Sequence, residues 1–249
     1  MRGFVLVSIL TFGIAAAPPI RAAEKEDAAS VLDKAIKAHG GAEALARAAQ
    51  VLRKGNGTIT LSDKDLSFTD EYVCQLPERL RYTLDVANDK QKARVILVIN
   101  GKKGWQTSGG VADELTEVRL GEEKEEAFAQ WVALLYPLKK DASIELATFP
   151  GQKVNDRQTV GLKVTKKDMP EIRLFFDPDT GLLLKMERKA RMYGTEMDRD
   201  YLFGDYKETD GGKLPMHISQ TLNGKKFLDL KVSSYEFPKQ IEESTFGKP

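Results

Sequence analysis

The stretch Gly57–Val86, GTITLSDKDLSFTDEYVCQLPERLRYTLDV, decides the fold. Gly57, Ile59 and Leu61 alternate with Thr58, Thr60 and Ser62. Leu66, Phe68, Tyr72, Cys74 and Leu76 share the even positions of the next run. Leu80, Tyr82, Leu84 and Val86 then alternate with Arg79, Arg81, Thr83 and Asp85. A period of two marks strands with one dry and one wet face. Arg94–Ile99 (RVILVI) is apolar at both parities, which predicts a strand covered on two sides, by the contents of the sheet and by a helix. Asn100-Gly101 turns that strand toward Trp105.

Working back toward the N-terminus, the period is helical. Ala28, Val31, Leu32, Ala35, Ile36 and His39 form one stripe, Gly40-Gly41 breaks it, and Ala42–Ala49 resumes it around Leu45. Before that, Met1-Arg2 is followed by the uncharged, apolar run Gly3–Ala17, and then by Pro18-Pro19 and Arg21-Ala22-Ala23. A charged start, a short apolar run and small residues at the exit predict a secretory signal peptide over residues 1–23, cut after Ala22 or Ala23. The run is short of the roughly 20 residues that span a bilayer.

Working forward, Glu122–Leu138 reads as a second helical stretch ended near Pro137. Phe128, Trp131, Val132 and Leu135 form its stripe, and Glu122, Glu123, Glu125 and Glu126 are expected to be its solvated, dipole-favoured start. Strands then return. Val160, Leu162 and Val164 alternate with polar positions, and Ile172, Leu174 and Phe176 lead into the turn Asp177-Pro178-Asp179-Thr180-Gly181. Leu182, Leu184, Met186 and Arg188 are expected on one face of the return strand. Asp210-Gly211-Gly212 and Asn223-Gly224 are further hairpin signals. Ten or eleven short strands joined by tight turns predict an antiparallel meander that curls, with the helical stretches closing its open side. No linker-like tract or fixed-period repeat divides residues 24–249, so one domain is expected.

Composition narrows the function. The 249-residue chain has 38 basic and 37 acidic residues. The leader contributes Arg2 and Arg21, which leaves 36 basic against 37 acidic, a net charge of −1. That balance lacks the basic footprint of a nucleic-acid binder. Cys74, the single cysteine, excludes an internal disulfide and is expected to be a buried apolar side chain. Its position far from the leader means that no cysteine opens the mature chain to carry a lipid anchor. His39 and His217 are too few for a zinc site. No nucleophile elbow, phosphate loop or dinucleotide fingerprint is present, and Ser108 reads as loop. Asp177-Pro-Asp179 lacks the further ligands of a calcium loop. Glu196, Asp198 and Asp200 read as a solvated strand face, with Arg191 and Arg199 near enough to neutralise it. No catalysis, metal or cofactor is expected.

A leader, a helix ahead of the first strand, a meander curling around a helix, and the hairpin FFDPDTGLLLK (Phe175–Lys185) together resemble the LolA/LolB-type outer-membrane lipoprotein-sorting proteins. Phe203–Lys207 (FGDYK), Gly212–Pro215 (GKLP) and the ending Phe237–Pro249 share that character. The resemblance implies an unclosed β half-barrel covered by N-terminal and central helices, with acyl chains held against an apolar concave face. It also implies a soluble periplasmic carrier of lipid, lipoprotein acyl chains or another apolar ligand, with an arginine that helps to hold the covering helix. Arg79, Arg81 and Arg94 are the candidates for that arginine. Phe68, Tyr72, Leu84, Leu97, Trp105, Phe176, Leu184 and Met186 are expected to face the ligand. A monomer is expected, with no membrane segment after cleavage and an envelope protein as a further partner. The same fold also serves non-enzymatic envelope sensors and protein-interaction modules, and this is the alternative reading.

Overall fold

The computed structural model describes residues 27–87 and 92–249, and the expected signal peptide lies outside them. Helices α1 (Ala28–Ala38) and α2 (Ala42–Ala48) come first. Asp27 caps α1 by accepting from the Ser30 amide at 2.7 Å. Gly40 and Gly41 stand at φ +94° and +91°, so the helix break at this pair uses a conformation that glycine adopts without strain.

The chain then runs β1 (Gln50–Leu61), β2 (Lys64–Gln75), β3 (Arg79–Ala87), β4 (Lys92–Asn100), β5 (Lys103–Ser108) and β6 (Val111–Glu114). Helices α3 (Glu117–Ala133) and α4 (Pro137–Lys140) follow. Next come β7 (Ile144–Val154), β8 (Arg157–Lys166), β9 (Ile172–Phe176), β10 (Leu183–Met192) and β11 (Thr195–Gly204). The last strands are β12 (Lys207–Thr209), β13 (Gly212–Leu214), β14 (His217–Leu222) and β15 (Lys225–Glu236), and a 3-10 turn, Glu243–Phe246, ends the chain.

Thirteen strands form one open antiparallel sheet, in the order β6-β5-β4-β3-β2-β1-β15-β14-β11-β10-β9-β8-β7, and β12 and β13 make a separate ribbon. The sheet is an unclosed half-barrel covered by helices. Two meanders meet where β1 pairs with β15. The chain therefore leaves the sheet at one edge, β6, and re-enters at the other, β7. Helix α3 makes that crossing and packs on both β4 and β10. Its Phe128 and Val132 join Val31, Leu32, Leu162, Leu174 and Met186 in the largest buried cluster. Ala127 joins a second cluster with Tyr72, Cys74 and Ile99.

Three expectations change here. Helix α3 starts at Glu117, capped by Thr116, so the acidic run lies one turn or more inside the helix. Pro137 does not end the helical stretch but opens α4, as proline suits a first helical turn. Strand β4 is covered on both faces, yet the outer cover is the C-terminal segment: Val98 packs with Phe246 and Val73, while Ile99 faces the helix side.

Gly57 lies opposite Leu230 on one side and Phe68 on the other, where β1 and β15 approach closely. A Cβ there would stand 1.8 Å from the Asp229 carbonyl oxygen. Gly57→Ala must push β15 off β1, and an overpacked contact of this kind costs about 1–3 kcal/mol. Urea denaturation measures it, and an unchanged midpoint would mean that this strand pair does not need the close approach.

Candidate functional site

Alternation along β1 places Val51 and Arg53 on the inner face. Register sets Tyr72 of β2 and Tyr235 of β15 on either side of Arg53. From the other meander, Met186, Tyr201, Gln220 and Ile218 reach the same face on β10, β11 and β14. Above them lie His39 at the end of α1, Leu45 and Ala48 of α2, and Gln130, Ala133 and Leu134 at the end of α3 and just beyond it. These residues enclose a cavity of about 150 Å³ between the helices and the sheet.

The walls are mainly apolar, and the polar groups among them are mostly spoken for. Tyr235 donates to Pro215 O at 2.7 Å, and Tyr206 donates to Leu183 O at 2.6 Å. Arg53 donates through Nη2 to Asp70 Oδ2 at 2.5 Å, and its guanidinium stands 4.9 Å from the Tyr72 ring. The Asp70 side chain is fully buried. The Tyr72 hydroxyl has no oxygen or nitrogen partner, only the Cys74 sulfur, and Arg53 Nε and Asp70 Oδ1 have no partner. Burial pushes the Tyr72 pKa well above the usual phenol range, so its proton stays in place.

Beside the cavity, α3 is tied to the sheet by the acidic residues that the sequence reading placed in solvent. Glu126 Oε2 accepts from Arg188, from the Tyr201 hydroxyl at 2.6 Å and from Arg199 at 3.1 Å. Gln130 donates to the other Glu126 oxygen at 3.1 Å, and Gln220 accepts from Arg199 at 2.6 Å. Burial alone would raise the Glu126 pKa, but Arg199 and Arg188 hold it at about 2. Glu122 accepts from the Tyr193 and Gly194 amides at 3.0 and 2.6 Å, and Glu125 pairs with Arg191. The acidic run is thus a buried clamp on the β10–β11 hairpin.

The arginines move accordingly. Arg79 and Arg81 face outward to Glu243 and the Thr245 carbonyl, and Arg94 pairs with Asp85 in solvent. The covering helix is held instead by Arg188 and Arg199. Glu196, Asp198 and Asp200 do share the outer face, but Lys185 and Lys189 neutralise Asp200 and Asp198, at 2.9 and 2.7 Å. Arg191 and Arg199 are engaged with Glu125 and Glu126.

Of the eight residues expected to meet a ligand, Tyr72 and Met186 line the cavity. Phe68 and Leu84 pack with Ile59 and Leu230 toward one end of the inner face, Leu97 packs beside Tyr72, and Phe176 lies within the large cluster. Trp105 pairs with Val98 and packs under the C-terminal segment, on the outer face. Leu184 is displaced by a bulge: Leu183 and Lys185 pair with consecutive residues, Phe176 and Phe175, so Leu183 takes the core place. Sequence reasoning missed Leu183, Arg53, Gln130, Gln220 and the role of His39. The alternation of β1 was the one signal that reached Arg53.

His39 is buried against the cavity. Its Nδ1 lies 2.8 Å from Ala35 O, its Nε2 is 3.5 Å from the Leu183 amide, and its ring meets Tyr206 edge-on. In the neutral tautomer Nδ1–H donates to Ala35 and Nε2 accepts from Leu183. Burial lowers the His39 pKa below 6.5, and the Lys213 charge adds to that. The unfolded chain therefore binds this proton first. The stability that neutral His39 contributes is complete above about pH 6.5 and is lost as pH falls through the lowered folded value. The thermal midpoint is expected to drop on acidification below 6.5, and His39→Gln should flatten that part of the profile. An unaltered profile would exclude His39 as its source.

An open antiparallel sheet with helices laid into its inner face and a cavity between the layers defines a half-barrel fold. That fold is LolA-like. The structure is similar to a LolA superfamily protein from Nitrosomonas europaea, at TM-score 0.55 and 12% identity over 90% of this chain and 98% of that one. It is also similar to an outer membrane lipoprotein-sorting protein domain from Vibrio parahaemolyticus, at TM-score 0.53 and 12% identity over 86% and 97%. A third similar structure, from Desulfovibrio piger, has TM-score 0.54 and 10% identity over 88% and 97%. No protein-family model and no curated protein matches the sequence. At these identities the likeness is one of fold.

Proposed function

We propose that the chain is a non-enzymatic carrier of an apolar, acyl-type ligand in the bacterial periplasm. The observation that carries this reading is the cavity under α2 and α3, walled by Leu45, Ala48, Leu183, Met186, Phe203 and Ile218. A fold similar to that of a lipoprotein-sorting domain supports it, and so does the leader-like sequence of residues 1–23. Among the described residues no helix is long and apolar enough to cross a membrane. At about 150 Å³ the cavity is smaller than the roughly 300–1,000 Å³ of filled ligand pockets. It admits a short segment of an acyl chain, and a longer chain would have to part α2 from the sheet, since α3 is held by the Glu126 ion pairs.

The test is organic extraction and mass spectrometry of the mature protein, purified from a bacterial periplasm without detergent. The expected result is a stoichiometric lipid, fatty acid or acylated peptide. Ala133→Phe, which fills the cavity from α3, should abolish it while the fold is retained. A protein that stays empty after incubation with added lipids would overturn the carrier reading and turn the search to protein partners.

A further inference from the structure

The carrier reading leaves open what the cavity recognises besides apolar surface. We propose that Tyr72 and Arg53 form a polar subsite within the cavity that binds the neutral carbonyl of an acyl ester or amide, so that the ligand is held by its acyl linkage as well as by its chain.

Tyr72 is 6% exposed and lines the cavity, yet its hydroxyl meets no oxygen or nitrogen acceptor, only the weakly accepting Cys74 sulfur. Arg53 lines the same cavity, and its Nε–H has no partner. Tyr72 and Arg53 are directly paired across β1 and β2, so the two donors share one patch of wall. Buried polar groups are nearly always paired, and an unpaired one weakens the fold. Tyr235, on the other flank of Arg53, shows the ordinary solution: it lines the cavity too, but gives its proton to Pro215 O at 2.7 Å.

The charge of the ligand head follows from Asp70. Its carboxylate is fully buried and already neutralises the Arg53 guanidinium at 2.5 Å. A second carboxylate on Arg53 would place two negative charges on one cation in a water-poor site. A neutral carbonyl oxygen accepts from both donors without adding charge. This assignment rests on the carrier reading, and it goes beyond it in predicting discrimination by the head and not only by the chain.

The experiment is displacement of a fluorescent polyene hydrocarbon from the delipidated mature protein. The competitors are methyl decanoate and the linear alkane with the same number of heavy atoms. Tyr72→Phe should weaken methyl decanoate about tenfold relative to the alkane, the value of one well-placed hydrogen bond. The same variant should leave the ligand-free melting temperature equal or higher, because it deletes a hydroxyl that has no strong partner. Tyr193→Phe, at an exposed tyrosine outside the cavity, should leave the ester-to-alkane ratio as it is. An ester-to-alkane ratio that Tyr72→Phe does not change would overturn the subsite. So would a Tyr72→Phe protein that is markedly less stable, since the hydroxyl would then be structural. If neither compound displaces the probe, the carrier reading itself falls.

Discussion

Glu126→Ala is expected to cost about 3–5 kcal/mol of folding stability, the range for removing one partner of a buried ion pair. The loss is large because of what remains. The Arg188 side chain is 2% exposed and that of Arg199 is 17% exposed, and both converge on the Glu126 carboxylate with the Tyr201 hydroxyl. Without it, two guanidiniums stay in a dry site facing each other. The carboxyl is held at about pKa 2 by these arginines against the opposing effect of burial. Its contribution is therefore present above the ordinary carboxylate range and is lost as pH falls through about 2. Urea denaturation at neutral pH measures the cost. Replacing Glu126, Arg188 and Arg199 together by leucine and methionine should recover most of it, since an apolar set of similar volume has no unpaired charge. A loss below about 1 kcal/mol for the single variant would mean that solvent reaches the cluster and that α3 is not held there.

Phe246→Ala is expected to cost about 3–5 kcal/mol, as for other fully buried phenylalanines. Phe246 is 0% exposed in the last turn of the chain and packs against Val73 and Val98 on the outer face. Three polar contacts fasten the segment around it: Arg79 to Glu243 at 3.1 Å, Arg81 to Thr245 O at 3.4 Å, and Asn100 to Phe246 O at 3.3 Å. These are partly exposed and contribute little alone, so the ring carries the docking. Because the segment pairs with no strand and is fastened only by these contacts, the loss should appear first as local opening. Amide exchange should quicken in β3 and β4 while α3 and β10 keep their protection. In a Trp131→Phe background, where Trp105 is the one remaining tryptophan, emission should shift to the red. Unmoved protection in β4 would show that the outer face is stable without this cover.

The sequence was legible wherever one local period governed one element. The helix break at Gly40-Gly41, the hairpin at Asn223-Gly224 and the paired faces of β2 and β3 all follow from neighbours a few residues apart. The failures share a cause. Leu184 sits on a bulge that shifts register by one residue, and such a slip moves a side chain to the other face with no change in composition. Trp105 alternates correctly, but its face is covered from the far end of the chain. The glutamates of α3 look like a solvated helix start until Arg188 and Arg199, more than sixty residues away, are folded onto them.

Alternation and turn chemistry are local, and they suffice to specify an antiparallel meander with helices at its head and middle. Tertiary structure decided that β1 joins β15, and hence that α3 must cross the inner face from edge to edge. It decided which charges are buried together, and it left the Tyr72 hydroxyl without an oxygen or nitrogen partner beside a cavity. Those are long-range outcomes: a strand pattern states which face is dry, and only the closed assembly states what that face meets.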